Sequence, residues 1–191
     1  CMVPQANAVE AAAVGEIAVY GIRHLRELAD HLTGGAKLQR TSINIEEKFQ
    51  KRVLGDGPDF ADIHGQKIVK RAAEIAASGM HNLLISGPPG SGKSMTAKCI
   101  PSILPLLTLE ESLEVSRIHS VAGTLPGEGI LTSRPFRMPH HTVSASALAG
   151  VGVVPHPGEI SLAHRGVLYL DELPEFQKET LEILRQPLED A

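Results

Sequence analysis

The apolar residues fall into short clusters of differing period. Residues Asn7 to Val14 are rich in good helix formers and predict a helix. Glu16-Ile-Ala-Val-Tyr20 reads as a short strand, and Ile22, Leu25, Leu28, Ala29 and Leu32 mark an amphipathic helix ending at Gly34-Gly35. Farther on, Gly65 to Ala77 places Ile68, Ala72, Ile75 and Ala76 on one helical face and stops at Ser78-Gly79. Asn82-Leu-Leu-Ile-Ser86 is an aliphatic run that predicts a strand feeding a glycine-rich turn. Lys93 to Ile100 then resumes helical character until Pro101. Thr108 opens a further helix, with a capping-box pattern to Glu111, that runs to about His119; a Gly- and Pro-rich region follows from Gly123 to Gly158. Gly166-Val-Leu-Tyr-Leu170 predicts a buried strand, and Lys178 to Gln186 a helix stopped by Pro187.

These elements divide the 191 residues into three parts. Residues 1–34 form a helix, strand and helix that belong to the tail of an upstream domain, and the start at Cys1 rather than Met suggests a piece of a longer protein. Residues 35–58 are polar, hold Lys37, Arg40, Lys48, Lys51 and Arg52 interleaved with Glu46 and Glu47, and close on Gly55-Asp-Gly-Pro58, the character of a solvated linker. Residues 59–191 carry the regular alternation of helix, strand, loop and helix expected of an α/β domain with a parallel sheet. Aromatic residues are only 3% of the chain, so Leu, Ile, Val and Ala must fill the core.

Charge and cysteine content narrow the function. Eighteen Lys and Arg against twenty-two Asp and Glu leave a net charge of -4, so any contact with nucleic acid must be local rather than driven by a global basic field. Cys1 and Cys99 sit in no metal-like spacing, which suits a reducing, cytoplasmic setting. No apolar run reaches the roughly 18 to 20 residues of a membrane span.

Gly87-Pro-Pro-Gly-Ser-Gly-Lys-Ser94 matches the phosphate-loop (Walker A) pattern Gly-x-x-x-x-Gly-Lys-Ser, and lies between a predicted strand and a predicted helix as that pattern requires. Glycines at these positions let consecutive backbone N–H groups turn inward around an anion, while the following helix presents the positive end of its dipole. Gly87, Pro88, Pro89, Gly90, Ser91, Gly92, Lys93, Ser94 and Met95 are therefore the candidate nucleotide contacts, with Lys93 reaching the β- and γ-phosphates of ATP and the Ser94 hydroxyl a ligand of Mg²⁺. About 80 residues later, Val167-Leu-Tyr-Leu-Asp171-Glu172 delivers two adjacent carboxylates at a strand end, the Walker B form. Asp171 is the candidate second Mg²⁺ group and Glu172 the candidate base for the water that attacks the γ-phosphate.

Five of the nine histidines fall between His119 and His164. Neither a His-x-x-x-His on a helix nor a cysteine partner accompanies them, and the pair His140-His141 should diverge in an extended segment, so a loop contact is favoured over a metal site. Arg134-Pro-Phe-Arg137 with that pair makes a local basic, partly aromatic loop; contact with single-stranded nucleic acid, a subunit contact and a solvated hairpin all remain open readings.

Longer phrases carry a family resemblance. Asp59-Phe-Ala-Asp-Ile-His-Gly-Gln66 is similar to the box that precedes the phosphate loop in AAA+ ATPases, where it borders the adenine pocket; this adds Ile63 and Gly65 to the candidate nucleotide contacts. Arg117-Ile-His-Ser-Val-Ala-Gly123, Arg134-Pro-Phe-Arg-Met-Pro-His-His-Thr142, Pro157-Gly-Glu-Ile-Ser-Leu-Ala-His164, Gly166 to Glu175 and Leu184-Arg-Gln-Pro-Leu-Glu-Asp190 resemble the magnesium-chelatase-like AAA+ ATPases of the YifB/ComM group. Val3-Pro-Gln-Ala-Asn-Ala8 and Val19-Tyr-Gly-Ile-Arg-His-Leu25 resemble the end of the Lon-protease-like domain that precedes the ATPase there.

The resemblance implies a P-loop NTPase (AAA+) three-layer core with a parallel sheet, truncated, preceded by the tail of a Lon-like α+β domain. It implies ATP and Mg²⁺ as cofactors, assembly into a ring, usually a hexamer, and for one branch a DNA helicase that promotes branch migration during natural transformation. A chelatase-type motor acting on a protein that carries metal and tetrapyrrole, and a nucleotide-switched assembly module, are the alternatives. In the family the strand carrying the sensor residue, the arginine finger and the helical lid lie beyond the position of Ala191. The chain alone is therefore expected to turn over poorly, since loss of an arginine finger costs about 10³ to 10⁵ in related sites.

Overall fold

The computed structural model describes residues 1–15, 17–50, 57–127, 129–152 and 155–189. Its elements are, in chain order, β1 (Met2–Pro4), α1 (Ala8–Ala12), β2 (Tyr20–Ile22), α2 (Leu25–Leu32), α3 (Ile45–Gln50), α4 (Lys67–Gly79), α5 (Lys93–Ile103), α6 (Leu109–Val121), β3 (Phe136–Arg137), α7 (Ala145–Ala149), α8 (Glu159–Leu162), β4 (Val167–Leu168), α9 (Lys178–Glu182) and α10 (Arg185–Glu189). Glu16 at the start of the first expected strand, and Lys51, Arg52 and Gly55 of the expected linker, lie outside the described residues. The chain separates into two compact units, Cys1–Arg52 with Leu109–Thr132, and Val53–Thr108 with Ser133–Ala191.

In the first unit β1 and β2 pair in parallel, Met2 opposite Tyr20 and Pro4 opposite Ile22. The small residues of α1 let it pack closely: Ala8, Ala12 and Val19 form a buried cluster with Val3, Ala11 and Ile43 against it. Ile43 and the helix α3 belong to the stretch whose composition reads as a linker, and a Thr41 to Val19 bridge ties that stretch to the same cluster. Helix α6 contributes a polar seam. Ser116 accepts from the Leu131 N–H at 2.8 Å, Ser112 donates to the Leu131 carbonyl, and Ser120 donates to Glu10. Residues spaced by four lie on one helix face, so a single stripe of serines fastens α6 to its loop and to α1.

The second unit is a mixed α/β arrangement with a small parallel pair, β3 against β4, in the register Phe136 to Val167 and Arg137 to Leu168. The Pro135 carbonyl accepts from Val167 N–H and the Arg137 carbonyl from Tyr169 N–H, each at 2.8 Å. Gly166 makes this approach possible: a methyl group there would sit 2.1 Å from the Pro135 oxygen. Helices α4 and α5 are joined by an apolar cluster of Phe60, Ile63, Ala73 and Cys99, with Ile100 and Ile103 packed on it. Burial of the Phe60 ring alone is worth roughly 1.5–3 kcal/mol.

Four expectations are corrected. Asn82 to Ser86 joins no ladder among the described residues, and Leu84 is 79% exposed; an apolar run becomes a strand only where a neighbouring edge supplies its hydrogen bonds. Gly166 to Leu170 is half-buried, with only Val167 and Leu168 in a ladder. Pro101 and Pro187 do not end their helices. Pro101 lies inside α5, and Pro187 occupies the first turn of α10, where a missing N–H leaves no intrahelical bond unmade.

Candidate functional site

The loop 87–94 wraps the start of α5. Gly90 and Gly92 take φ of +75° and +83°, left-handed values that glycine adopts without steric cost, and Gly92 caps the helix. The Gly92 carbonyl accepts from the Thr96 N–H at 2.9 Å and from the buried Thr96 hydroxyl at 3.0 Å, which locks the first turn of α5. Lys93 folds back over the loop, its Nζ donating to the carbonyls of Gly87 at 2.8 Å and Pro88 at 2.9 Å. Pro88, Pro89 and Gly90 are exposed, Ser91 half-buried, and Met95 is 48% exposed.

Residues 77 apart in sequence meet next to this loop. Ser94 Oγ donates to Asp171 Oδ2 at 3.0 Å, Tyr169 donates to Asp171 Oδ1 at 3.0 Å, and the Glu172 N–H donates to the same Oδ1 at 3.0 Å. Burial pushes the Asp171 carboxyl upward, but the bonds from Ser94, Tyr169 and the Glu172 N–H, with the positive charge of Lys93, outweigh it and hold the group below its ordinary value. The Tyr169 phenol moves the other way: burial raises it, a bond with Ser94 opposes, and the Asp171 carboxylate adds to the rise. An ionised carboxylate beside a serine hydroxyl is a hard oxygen donor set, and it fits Mg²⁺.

Glu172 follows at φ +53°, a left-handed conformation uncommon for a side chain larger than glycine. Its carboxylate is 66% exposed and stands 3.4 Å from His141 Nδ1. The His140 and His141 rings lie 4.1 Å apart, centroid to centroid, and His141 meets the edge of buried Phe176. The expectation that the two imidazoles diverge is thus overturned: the backbone turns at His141, so the pair is not extended.

The arginines of this segment are also placed differently from the nucleic-acid reading. Arg137 forms a two-pronged pair with Glu159, Nε to Oε2 and Nη2 to Oε1, both at 2.7 Å. Arg134 donates through Nη1 to the Arg165 carbonyl at 2.6 Å and through Nε to the Pro105 carbonyl. Both guanidinium groups clamp the chain to itself.

Ile63 sits in the apolar cluster under α4 and α5 at 6% exposure, and Gly65 follows at φ +71°. Tyr169 and Gln66 were missed from sequence. Tyr169 was findable, since the two-residue period of an extended strand puts it on the same face as Asp171. Gln66 donates its side-chain amide to the Ser91 carbonyl in the middle of the loop 87–94. No group of three or more metal-ligating side chains of the His, Cys, Asp and Glu type occurs among the described residues.

The family model described as magnesium chelatase, subunit ChlI, matches residues 59–191, from the capped turn at Asp59 through the Ser94–Asp171 junction. The chain belongs to this family. It is similar to competence protein ComM of Haemophilus influenzae, 42% identical over 190 residues that cover 100% of this chain and 37% of that protein. It is also similar to an uncharacterized protein of Mycobacterium tuberculosis, 44% identical over 192 residues covering 100% of this chain and 37% of that protein. With the uncharacterized protein YifB of Escherichia coli it shares 52% over 133 residues, 70% of this chain and 26% of that protein. The chain thus spans little more than a third of the length of the curated relatives it matches in full. No helix among the described residues is long and apolar enough to cross a membrane.

Proposed function

We propose that this magnesium-chelatase family chain carries the nucleotide site of an AAA+ ATPase, and that the whole protein uses ATP hydrolysis to remodel DNA. The single observation behind the site is the Ser94–Asp171 hydrogen bond, which brings the ends of the two phosphate-handling motifs to 3.0 Å. On this reading the free N–H groups of the non-proline residues of the loop 87–94 and the N-terminus of α5 bind the phosphates, Met95 and Gly65 lie toward the base, and Ile63 supports that side from the apolar cluster beneath. Lys93 exchanges its two loop carbonyls for phosphate oxygens, a trade of neutral for charged acceptors that strengthens each bond. Mg²⁺, held by Ser94 and Asp171, would supply positive charge that draws electrons from the terminal phosphate. The exposed carboxylate of Glu172 orients the attacking water and accepts its proton.

Similarity to a protein named for competence favours work on DNA; a cytoplasmic ring, usually of six copies, is what the resemblance to the YifB/ComM group implies. The family's own description favours the second reading, a motor acting on a protein partner that carries metal and tetrapyrrole. Arg134 and Arg137 are engaged internally, so the DNA reading does not rest on them. The test is the ATPase rate of the full-length protein with and without branched DNA, beside Glu172→Gln. Stimulation that the variant abolishes supports the DNA motor; a flat response to DNA with stimulation by a tetrapyrrole-carrying protein supports the chelatase type.

A further inference from the structure

The segment that precedes α4 runs alongside α5 and is fastened to it at both ends. At one end, Asp59 and Asp62 form a reciprocal capping box, and the Phe60 N–H donates to Ser102 Oγ on the last turns of α5 at 3.0 Å. At the other end, Gly65 and Gln66 take consecutive left-handed conformations, φ +71° and +50°, and Gln66 Nε2 donates to the carbonyl of Ser91, two residues before α5. Between these pins lie Phe60 and Ile63, buried against Cys99.

The left-handed turn at Gln66 has no packing explanation, because the residue is exposed. A non-glycine residue there costs of order 1–3 kcal/mol relative to a relaxed turn. What it achieves is direction: the turn lets α4 begin at Lys67, with the Gln66 carbonyl accepting from Lys70 N–H at 2.9 Å, while the side chain reaches the phosphate loop. The contact falls on a peptide whose orientation matters. In a trans peptide the C=O and the following N–H point in opposite directions, so a donor that holds the Ser91 oxygen outward turns the Gly92 N–H inward. Gly92 at φ +83° has little side-chain hindrance of its own to fix that plane, and the Gln66 amide stands 3.7 Å from where a β-carbon at Gly92 would be.

We propose that Gln66 is a positioning residue for phosphate binding: it pins the Ser91 carbonyl and so presents the Gly92 N–H to the anion that the loop grips. The inference rests on the reading of residues 87–94 as a nucleotide site and adds a residue on which the cradle depends. Lys93 secures the Gly87 and Pro88 carbonyls only until it moves to phosphate, whereas the Gln66 contact uses no group that this reading assigns to phosphate. An adenine-side role, the alternative for a residue of this box, predicts a different ligand dependence.

The experiment uses the full-length protein and Gln66→Met, which keeps length without charge or donor, with Gln66→Ala as a second variant should the first lose its cooperative thermal transition. A fluorescent ADP analogue reports binding, and inorganic pyrophosphate competes as a ligand with phosphates and no base. The expected result is a loss of about tenfold to a hundredfold in affinity for both ligands, the cost of one misdirected donor, with an unchanged melting temperature in the absence of ligand. Parent-like affinity in the variants overturns the proposal, and so does a loss for the ADP analogue that spares pyrophosphate, which would put Gln66 at the base. Lys93→Ala is the control for the underlying reading: if the parent protein binds neither ligand, the nucleotide site and the role of Gln66 fall together. If the parent binds, Lys93→Ala does not and Gln66→Met does, only the role of Gln66 falls.

Discussion

Arg137, at the end of β3, and Glu159, in the first turn of α8, face each other through two parallel hydrogen bonds of 2.7 Å. The pair is partly open to solvent, with side-chain exposures of 35% and 22%. Screening therefore limits its value, and a coupling of about 1 kcal/mol is expected from a double-mutant cycle of Arg137→Gln and Glu159→Gln followed by urea unfolding. The bond to Glu159 raises the Arg137 guanidinium further above its already high value, against burial, so the pair stays charged at any pH at which Glu159 is ionised. The competing role, contact with nucleic acid, predicts the reverse: weaker DNA binding and a reduced salt slope with stability untouched.

Asp171 gives a pH-dependent prediction. Its carboxyl is held below the ordinary value, so the stabilisation it contributes is complete above the unfolded-chain value and is lost as the pH falls through the lowered one. Asp171→Asn should flatten that part of the acid decline in melting temperature. Ser94→Ala removes one of its donors and should shift the decline toward higher pH. Both variants should also lose the increment in ATP affinity that Mg²⁺ provides. An unchanged Mg²⁺ dependence in both would count against the assignment of Ser94 and Asp171.

The candidate site was more legible in the sequence than the sheet, for a physical reason. A phosphate loop must be contiguous, because neighbouring backbone N–H groups do the binding, so the pattern that makes Gly87 to Ser94 a candidate is complete within eight residues. The carboxylates of Asp171 and Glu172 stand at the end of an apolar run, again a local pattern. Strand pairing is not local: whether Phe136-Arg137 is a strand depends on Val167-Leu168, and neither two-residue segment has a period to read. The Gly- and Pro-rich stretch hid α7, whose start is marked only by Ser144 accepting from the Ala147 N–H. The partners of Arg134 and Arg137 were invisible for the same reason. A guanidinium looks alike in sequence whether it meets a phosphate or the Glu159 carboxylate.

On the proposed reading, Glu172 separates binding from turnover. Glu172→Gln preserves size and the backbone N–H that donates to Asp171, so ATP affinity should change by less than about threefold while hydrolysis falls by roughly 10² to 10⁴. Measuring both in the full-length protein decides the role. If hydrolysis persists in the variant, another group activates the water.

Gly166 offers the most direct test of how the fold builds the site. Its missing side chain lets β4 reach β3, and three residues beyond the paired Leu168 the same chain delivers Asp171 to Ser94. In Gly166→Ala the new methyl meets a backbone oxygen, not a mobile side chain, so the strands must part by a large fraction of an ångström or the peptide at Pro135 must turn. Overpacking of this kind costs typically about 1–3 kcal/mol. Because Asp171 is carried on the displaced segment, the stability loss should come with weaker Mg²⁺-dependent ATP binding, while a destabilising change remote from β4, such as Ala12→Gly in α1, should lower stability alone. Equal ATP affinity in Gly166→Ala and the parent, at a temperature where both are folded, would show that the β3–β4 pair does not set the position of Asp171.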